Sequence, residues 1–239
     1  MKPNETLLNI RLNGDNKIEL SDILIDEMGD NHVSTSVDTP MKEDAFVLSE
    51  EEKMLEIEKH FRSIMDIMGL DLNDDSLKGT PKRVAKMYIK EIFSGLNPAN
   101  KPAMALFENK YKYNEMLVEK NITFYSNCEH HFVPIFGKVH VAYVSNGKVI
   151  GLSKINRIVQ YFAQRPQVQE RLTNEIRDCI QETLNPHGVA VVIECSHLCM
   201  QMRGIQKQNS ATTTSAFTGE FLKDATRKEF ISLISSNLH

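Results

Sequence analysis

Residues 139–152 read VHVAYVSNGKVIGL. Apolar, β-branched and aromatic residues flank Asn146-Gly147, a pair that tolerates positive φ, so the stretch predicts two strands joined by a tight turn. Upstream, from Ile122, the chain keeps the same composition. Downstream, Ser153 to Leu184 changes to helical spacing, with Arg165-Pro166 dividing two helices. Val168, Leu172, Ile176, Ile180 and Leu184 form one stripe along the second. GVAVVIEC (188–195) returns to an apolar strand bounded by Pro186 and Gly188, and KDATRKEFISLI (223–234) has a helical pattern. No internal repeat is present. Strands separated by paired helices predict an α+β fold, a mostly antiparallel sheet with its helices between strands in sequence.

The reading extends towards the N-terminus. Ser49 and Glu52 have capping-box spacing, and Met54, Ile57, Phe61, Ile64 and Met68 then predict a helix ending near Gly69. Thr80-Pro81 announces a second helix, with Thr80 as its N-cap, closed by Ser94-Gly95. Its apolar face holds Val84, Met87, Tyr88 and Ile92. Residues 1–46 are rich in Asn, Asp, Ser and Thr, with breakers at Gly14, Gly29 and Pro40. They read as a mobile N-terminal arm before a domain spanning 47–239.

Composition excludes several classes. Of 239 residues, 41% are hydrophobic and 25% charged, the balance of a globular protein. A net charge of −4 gives no overall field for nucleic acid or an anionic membrane, so an anionic ligand needs a local basic site. The N-terminal stretch has no sustained apolar core and no segment approaches a membrane span, so a cytoplasmic location is expected. Cys128, Cys179, Cys195 and Cys199 are too few and too unevenly placed for a disulfide framework.

Metal binding is the better reading for two of them. Cys128-Glu129-His130-His131 places a thiolate and an imidazole three residues apart, within reach of one ion from a tight turn. Alone, a C-x-x-H is as often a buried cysteine beside surface histidines. Ser196-His197-Leu198-Cys199 adds a second cluster, in which His197 and Cys199 share a face if the chain stays extended. Cys195 has the same parity but lies about 13 Å away along an extended strand, too far to join unless the strand ends early. It reads as a packed thiol, and Cys179 reads as core. Cys128, His131 and Cys199 leave one coordination position for water, as in a catalytic zinc site. The alternative is a closed structural site completed by His130 or His197.

Lys154 and Arg157 stand at the start of a helix with Ser153 as N-cap, so two cations and a helix N-terminus converge on an anion such as phosphate. Arg203 would add a third. For two basic residues alone, a solvated helix face is the commoner explanation. Gln169 and Glu170 pair an amide with a carboxylate, the groups that read a purine edge, although an exposed helix surface accounts for them equally well.

CEHHFVPIFGKVHVAYV, VIGLSKINRIVQYFAQRPQVQERL, SHLCMQMRGI and DDSLKGTPKRVAKMYIKEIFSGL together resemble the GTP cyclohydrolase I family from Ser49 to the C-terminus. The resemblance implies one Zn2+ per subunit on Cys128, His131 and Cys199, the ligands that spacing suggests. It implies water attack at C8 of the guanine of GTP, ring opening, loss of formate and closure to 7,8-dihydroneopterin triphosphate, the first step of tetrahydrofolate and pterin synthesis. His130 and His197 would move protons, and Ser153, near the triphosphate, completes the catalytic set. Gln169 and Glu170 would hold the guanine edge, and Lys154, Arg157 and Arg203 the triphosphate. Ile150 and Leu152 complete the substrate-binding set, and Arg83 and Lys86 add charge from a neighbouring subunit. The implied fold is an antiparallel sheet with two helices packed on one face, of the tunnelling type, preceded by a helical hairpin. The implied assembly is a homo-oligomeric decamer of two stacked pentamers with active sites between subunits. Two rivals share these motifs: another reaction on the same scaffold with Cys128 as nucleophile, and a zinc-stabilised nucleotide-binding module without chemistry.

Overall fold

Helix α1 (Glu50–Ile67) starts where the sequence places it. The Ser49 hydroxyl accepts from Glu52 N at 3.2 Å while Glu52 Oε2 accepts from Ser49 N at 2.8 Å, a complete capping box. Gly69, at φ 79°, ends the turn beyond it. Helix α2 (Thr80–Met87) begins one residue earlier than expected, because Gly79 is the N-cap and Pro81 occupies the second position. The helix widens into a π turn over Tyr88–Ile92 and then tightens at Ser94–Leu96. Ala85 and Phe93 are buried, whereas the anticipated face of Val84, Met87, Tyr88 and Ile92 is only half-buried. Asn97 Nδ2 donates to Glu50 Oε1 at 3.1 Å and Lys90 pairs with Glu50, tying this segment to the start of α1.

These elements belong to a computed structural model that describes residues 36–203 and 209–236. Of the segment read as an arm, residues 1–35 lie outside the described residues, and 36–46 form mostly exposed bends and turns. Among the described residues, no helix is long and apolar enough to cross a membrane.

Strands β1 (Leu106–Glu108), β2 (Met116–Cys128), β3 (Pro134–Val144) and β4 (Lys148–Ile150) follow. Next come helix α3 (Leu152–Ala163), strand β5 (Pro166–Gln167), helix α4 (Gln169–Leu184) and strand β6 (Gly188–His197). A helical turn α5 (Leu198–Gln201), strand β7 (Thr212–Phe217) and helix α6 (Asp224–Ser235) complete the chain. The architecture is α+β. Five strands align in the order β5-β2-β3-β6-β7, antiparallel except for the two-residue parallel pairing of β5 with β2.

The turn at Asn146-Gly147 forms, with Gly147 at φ 78°, but the strands around it do not make a hairpin. β4 pairs with β1 in a separate ribbon, Phe107 opposite Val149. The reason is that both edges of β3 are already taken: Val144 lies opposite Met116 of β2 and Gly188 of β6. The period of the pattern locates a strand but says nothing of which edge remains open.

The helical stripe does what its spacing implies. Leu172, Ile176, Ile180 and Leu184 of α4 join Ile155, Ile158 and Phe162 of α3 in one core with inward residues of β2, β3 and β6. Each such side chain contributes roughly 1.5–3 kcal/mol by leaving water. Ala142, Ala190 and Val192 face the opposite side, under Phe221 and Phe230 of the C-terminal segment. β6 is therefore covered on both faces, which explains its unbroken apolar run.

Candidate metal centre

Topology brings the two cysteine clusters together. β2 and β6 both run antiparallel to β3, so their C-terminal ends meet at its N-terminal end, Asn127 facing Pro134 and His197 facing Ile135. Cys128 is the last residue of β2. Its turn closes through Cys128 N to Val133 O at 2.9 Å and Phe132 N to Cys128 O at 2.8 Å, with Phe132 held at φ 53°. After His197 the chain does not stay extended. It coils into α5, and that coil carries Cys199 back to the site, so the face-sharing argument from strand parity does not apply.

Cys128 Sγ, a ring nitrogen of His131 and Cys199 Sγ all lie within 4.8 Å of one another. Ligands at about 2.3 Å for sulfur and 2.1 Å for nitrogen around a tetrahedral ion would be separated by roughly 3.5–3.8 Å, so a small contraction suffices. Burial, and then the neighbouring Cys128, raise the pKa of the Cys199 thiol. Two thiols so close resist joint ionisation unless a cation sits between them, and two thiolates with an imidazole suit a borderline-soft metal. The donor set therefore fits a metal ion. His130 also approaches, its Nδ1 lying 3.6 Å from Cys128 Sγ, against 4.0 Å for Nδ1 of His131. The two rings meet edge to face at 6.4 Å.

Beside this group, Gln169 is 3% exposed. Its Nε2 donates to Ile193 O at 3.2 Å and Thr212 O at 3.0 Å, which leaves Oε1 to accept from the Cys195 thiol at 3.0 Å and to face His197 Nε2 at 2.9 Å. Sequence reasoning placed Gln169 beside a ligand and missed this internal role. Burial pushes the Cys195 thiol up to about 12, with Glu170 and Glu194 adding to it, and burial lowers the pKa of His197 against the opposing charge of Glu170. Cys195 and Cys179 are packed thiols, as their positions suggested.

The other candidates lie on several elements. Glu170 is exposed at the start of α4, and Arg203 is exposed close enough to Cys199 to act on its thiol. Gly204 lies outside the described residues. Ser153, Lys154 and Arg157 occupy the first turns of α3, whose N-cap is Gly151 rather than Ser153. Leu152 there is half exposed, and Ile150, just before the helix, is buried. Asn156 Nδ2 donates to Glu119 Oε1 at 3.3 Å, which fixes these turns alongside Glu119. Glu119 lies nine positions before Cys128 on β2. Arg83 and Lys86 are exposed on α2, Arg83 Nη2 donating to Ser76 O and Thr80 Oγ1. Glu129 and Arg171, which form an ion pair beside the metal turn, were not singled out in the sequence. The signal was present in Glu129 itself, a carboxylate between a thiol and two imidazoles.

Fold and site together define a class: an α+β protein with two thiols and one imidazole, a group able to hold a metal ion, where two strands of an antiparallel sheet end. The chain belongs to the GTP cyclohydrolase I family, whose model matches residues 57–235. It is similar to GTP cyclohydrolase 1 of Flavobacterium johnsoniae, 55% identical over 210 residues, covering 88% of this chain and 94% of the relative. GTP cyclohydrolase 1 of Aliivibrio fischeri strain MJ11 is 51% identical over 201 residues, covering 84% and 92%. That of Haemophilus ducreyi is 50% identical over 203 residues, also covering 84% and 92%. Among solved structures, an archaeosine synthase QueF-Like in the apo form aligns with a TM-score of 0.39 at 18% identity, covering 45% of this chain and 97% of that one.

Proposed function

We propose that this chain is a zinc-dependent GTP cyclohydrolase I, a hydrolase that opens the imidazole ring of the guanine of GTP, releases formate and forms 7,8-dihydroneopterin triphosphate for tetrahydrofolate and pterin synthesis. The observation that carries the reading is the convergence of Cys128, His131 and Cys199 in a member of this family. When bound there, Zn2+ would supply Lewis-acid activation of water at neutral pH.

The chain's own groups supply the rest. Glu170 holds the guanine edge, with Gln169 beneath it in the pocket wall. His130 and His197 move protons, the first beside Cys128 and the second steadied by Gln169, and Ser153 acts near the triphosphate. Lys154, Arg157 and Arg203 hold the triphosphate by charge-assisted hydrogen bonds, Ile150 and Leu152 line the pocket, and Arg83 and Lys86 extend the positive field.

One chain does not complete this site. Lys154 and Arg157 flank a residue fixed beside Glu119, nine positions before Cys128 on β2, rather than beside the metal turn. A second copy supplies them. The outer edge of β7, the edge of β2 before Asn127 and the apolar surface of α1 around Ile67, 85% exposed, are the surfaces that pairing would cover. The assembly is a decamer of two stacked pentamers, each subunit a tunnelling-type fold with α1 and α2 as its leading hairpin. Residues 1–46 form a variable arm, 47–239 the catalytic domain, and the enzyme works in the cytoplasm.

Zinc-loaded protein incubated with GTP is expected to release formate and a product that becomes a fluorescent pterin on oxidation, followed by mass spectrometry. Chelation should stop turnover and zinc restore it. An assembled, zinc-loaded protein that leaves GTP intact would refute the reading.

A further inference from the structure

The turn bearing Cys128 and His131 is anchored twice. Its backbone is fixed by Glu129 N donating to the carbonyl of Gln167 at 3.0 Å, in addition to the turn's own bonds. Its side chains are fixed separately. Glu129 Oε2 accepts from Arg171 Nη1 at 2.6 Å, and Oε1 accepts from Nη2 at 3.2 Å. The Arg171 side chain is only 2% exposed, rises from the first turn of α4, and donates Nε to Ser36 O at 2.9 Å. All three donor nitrogens of the fork are engaged, so the guanidinium has one orientation.

The same carboxylate faces the site. Glu129 Oε1 lies 3.8 Å from His130 Nε2, while Nδ1 of that ring lies 3.6 Å from Cys128 Sγ. The imidazole therefore stands between a fixed anion and the thiol. Fold stability is a weak reason for such an arrangement, because desolvating a buried ion pair offsets most of its Coulomb gain. The backbone bond to Gln167 already holds the turn. What the pair adds is direction: a carboxylate whose position is set by Arg171 restricts how the ring of His130 sits over the metal-bearing sulfur.

We propose that Glu129 is a positioning residue, locked by Arg171, that aims His130 at the metal centre. The role assigned to His130 rests on the functional reading above. Removing partners of this kind typically costs about 10–100-fold in activity or metal affinity.

The test compares Glu129→Gln, Arg171→Lys and the double variant with the parent, each loaded with zinc for kinetics and with cobalt for visible spectra. The expected result is a kcat for GTP lowered by about 10–100-fold in each single variant, with KM moved far less. The double variant should be no worse than the poorer single one, because both changes act through one contact. The cobalt ligand-field bands should shift while the thiolate charge-transfer band persists. Unchanged kcat and unchanged bands, with only a lower melting temperature, would mean that the pair merely holds the fold and would overturn the proposal. A parent protein that binds cobalt but leaves GTP intact would instead refute the functional reading, and the cobalt spectra of the variants would still decide the clamp.

Discussion

Individual residues divide sharply by what surrounds them. Cys195 and Cys199 are four positions apart, yet one is sealed under Gln169 and the other meets Cys128 at the sheet's end. With its thiol pushed up to about 12, Cys195 is protonated throughout the neutral range, since thiolate appears only as pH approaches that value. Iodoacetamide at pH 8 should therefore leave Cys195 of the folded protein unlabelled, as peptide mapping by mass spectrometry would reveal. Labelling should appear once the chain is unfolded. Labelling in the native state would mean that the thiol is not held as described. The group of Cys128, His131 and Cys199 was legible residue by residue, because C-x-x-H and a later cysteine are chemical statements. The clamp of Glu129 by Arg171 was not, because an ion pair between residues far apart in sequence leaves no periodic trace.

Elements followed their local signals and departed from them where neighbours intervened. α1 starts at its capping box, and Ser49→Ala removes a cap whose loss costs about 1 kcal/mol. Chemical denaturation should register that drop with the denaturant slope unchanged, and a larger loss would point to a role beyond the cap. α4 buries Leu172, Ile176, Ile180 and Leu184 of the stripe its spacing foretold, while Val168 is its half-buried N-cap. β4 did not pair with β3 despite an Asn-Gly turn, because β2 and β6 had taken both edges. α5 shows the same principle: four residues coil where an extended chain was expected, and that coil presents Cys199 to Cys128.

For the whole molecule, the proposed site is one divided between copies of the chain. A site divided in this way would make activity depend on assembly, and the exposed apolar surface of α1 is where the proposed pairing would be broken. Leu55→Asp with Ile67→Asp changes side chains that are 66% and 85% exposed, so the helical content of the chain should persist. Light scattering should report a lighter particle, with turnover falling alongside. An unchanged mass would place the interface elsewhere.

The sequence by itself determined the α+β class, the positions of most helices and strands, the buried stripe of α4 and the three residues, Cys128, His131 and Cys199, that come together in a group able to hold a metal ion. Periodicity, caps and ligand chemistry are local properties, and a linear chain carries them in full. Tertiary structure alone decided which strand edges were free, that Gln169 turns inward to His197, that Arg171 pairs with Glu129, and that Asn156 in the first turns of α3 is fixed beside Glu119. Those outcomes depend on which distant groups come into contact, and contact is settled by the packing of the whole sheet and its helices.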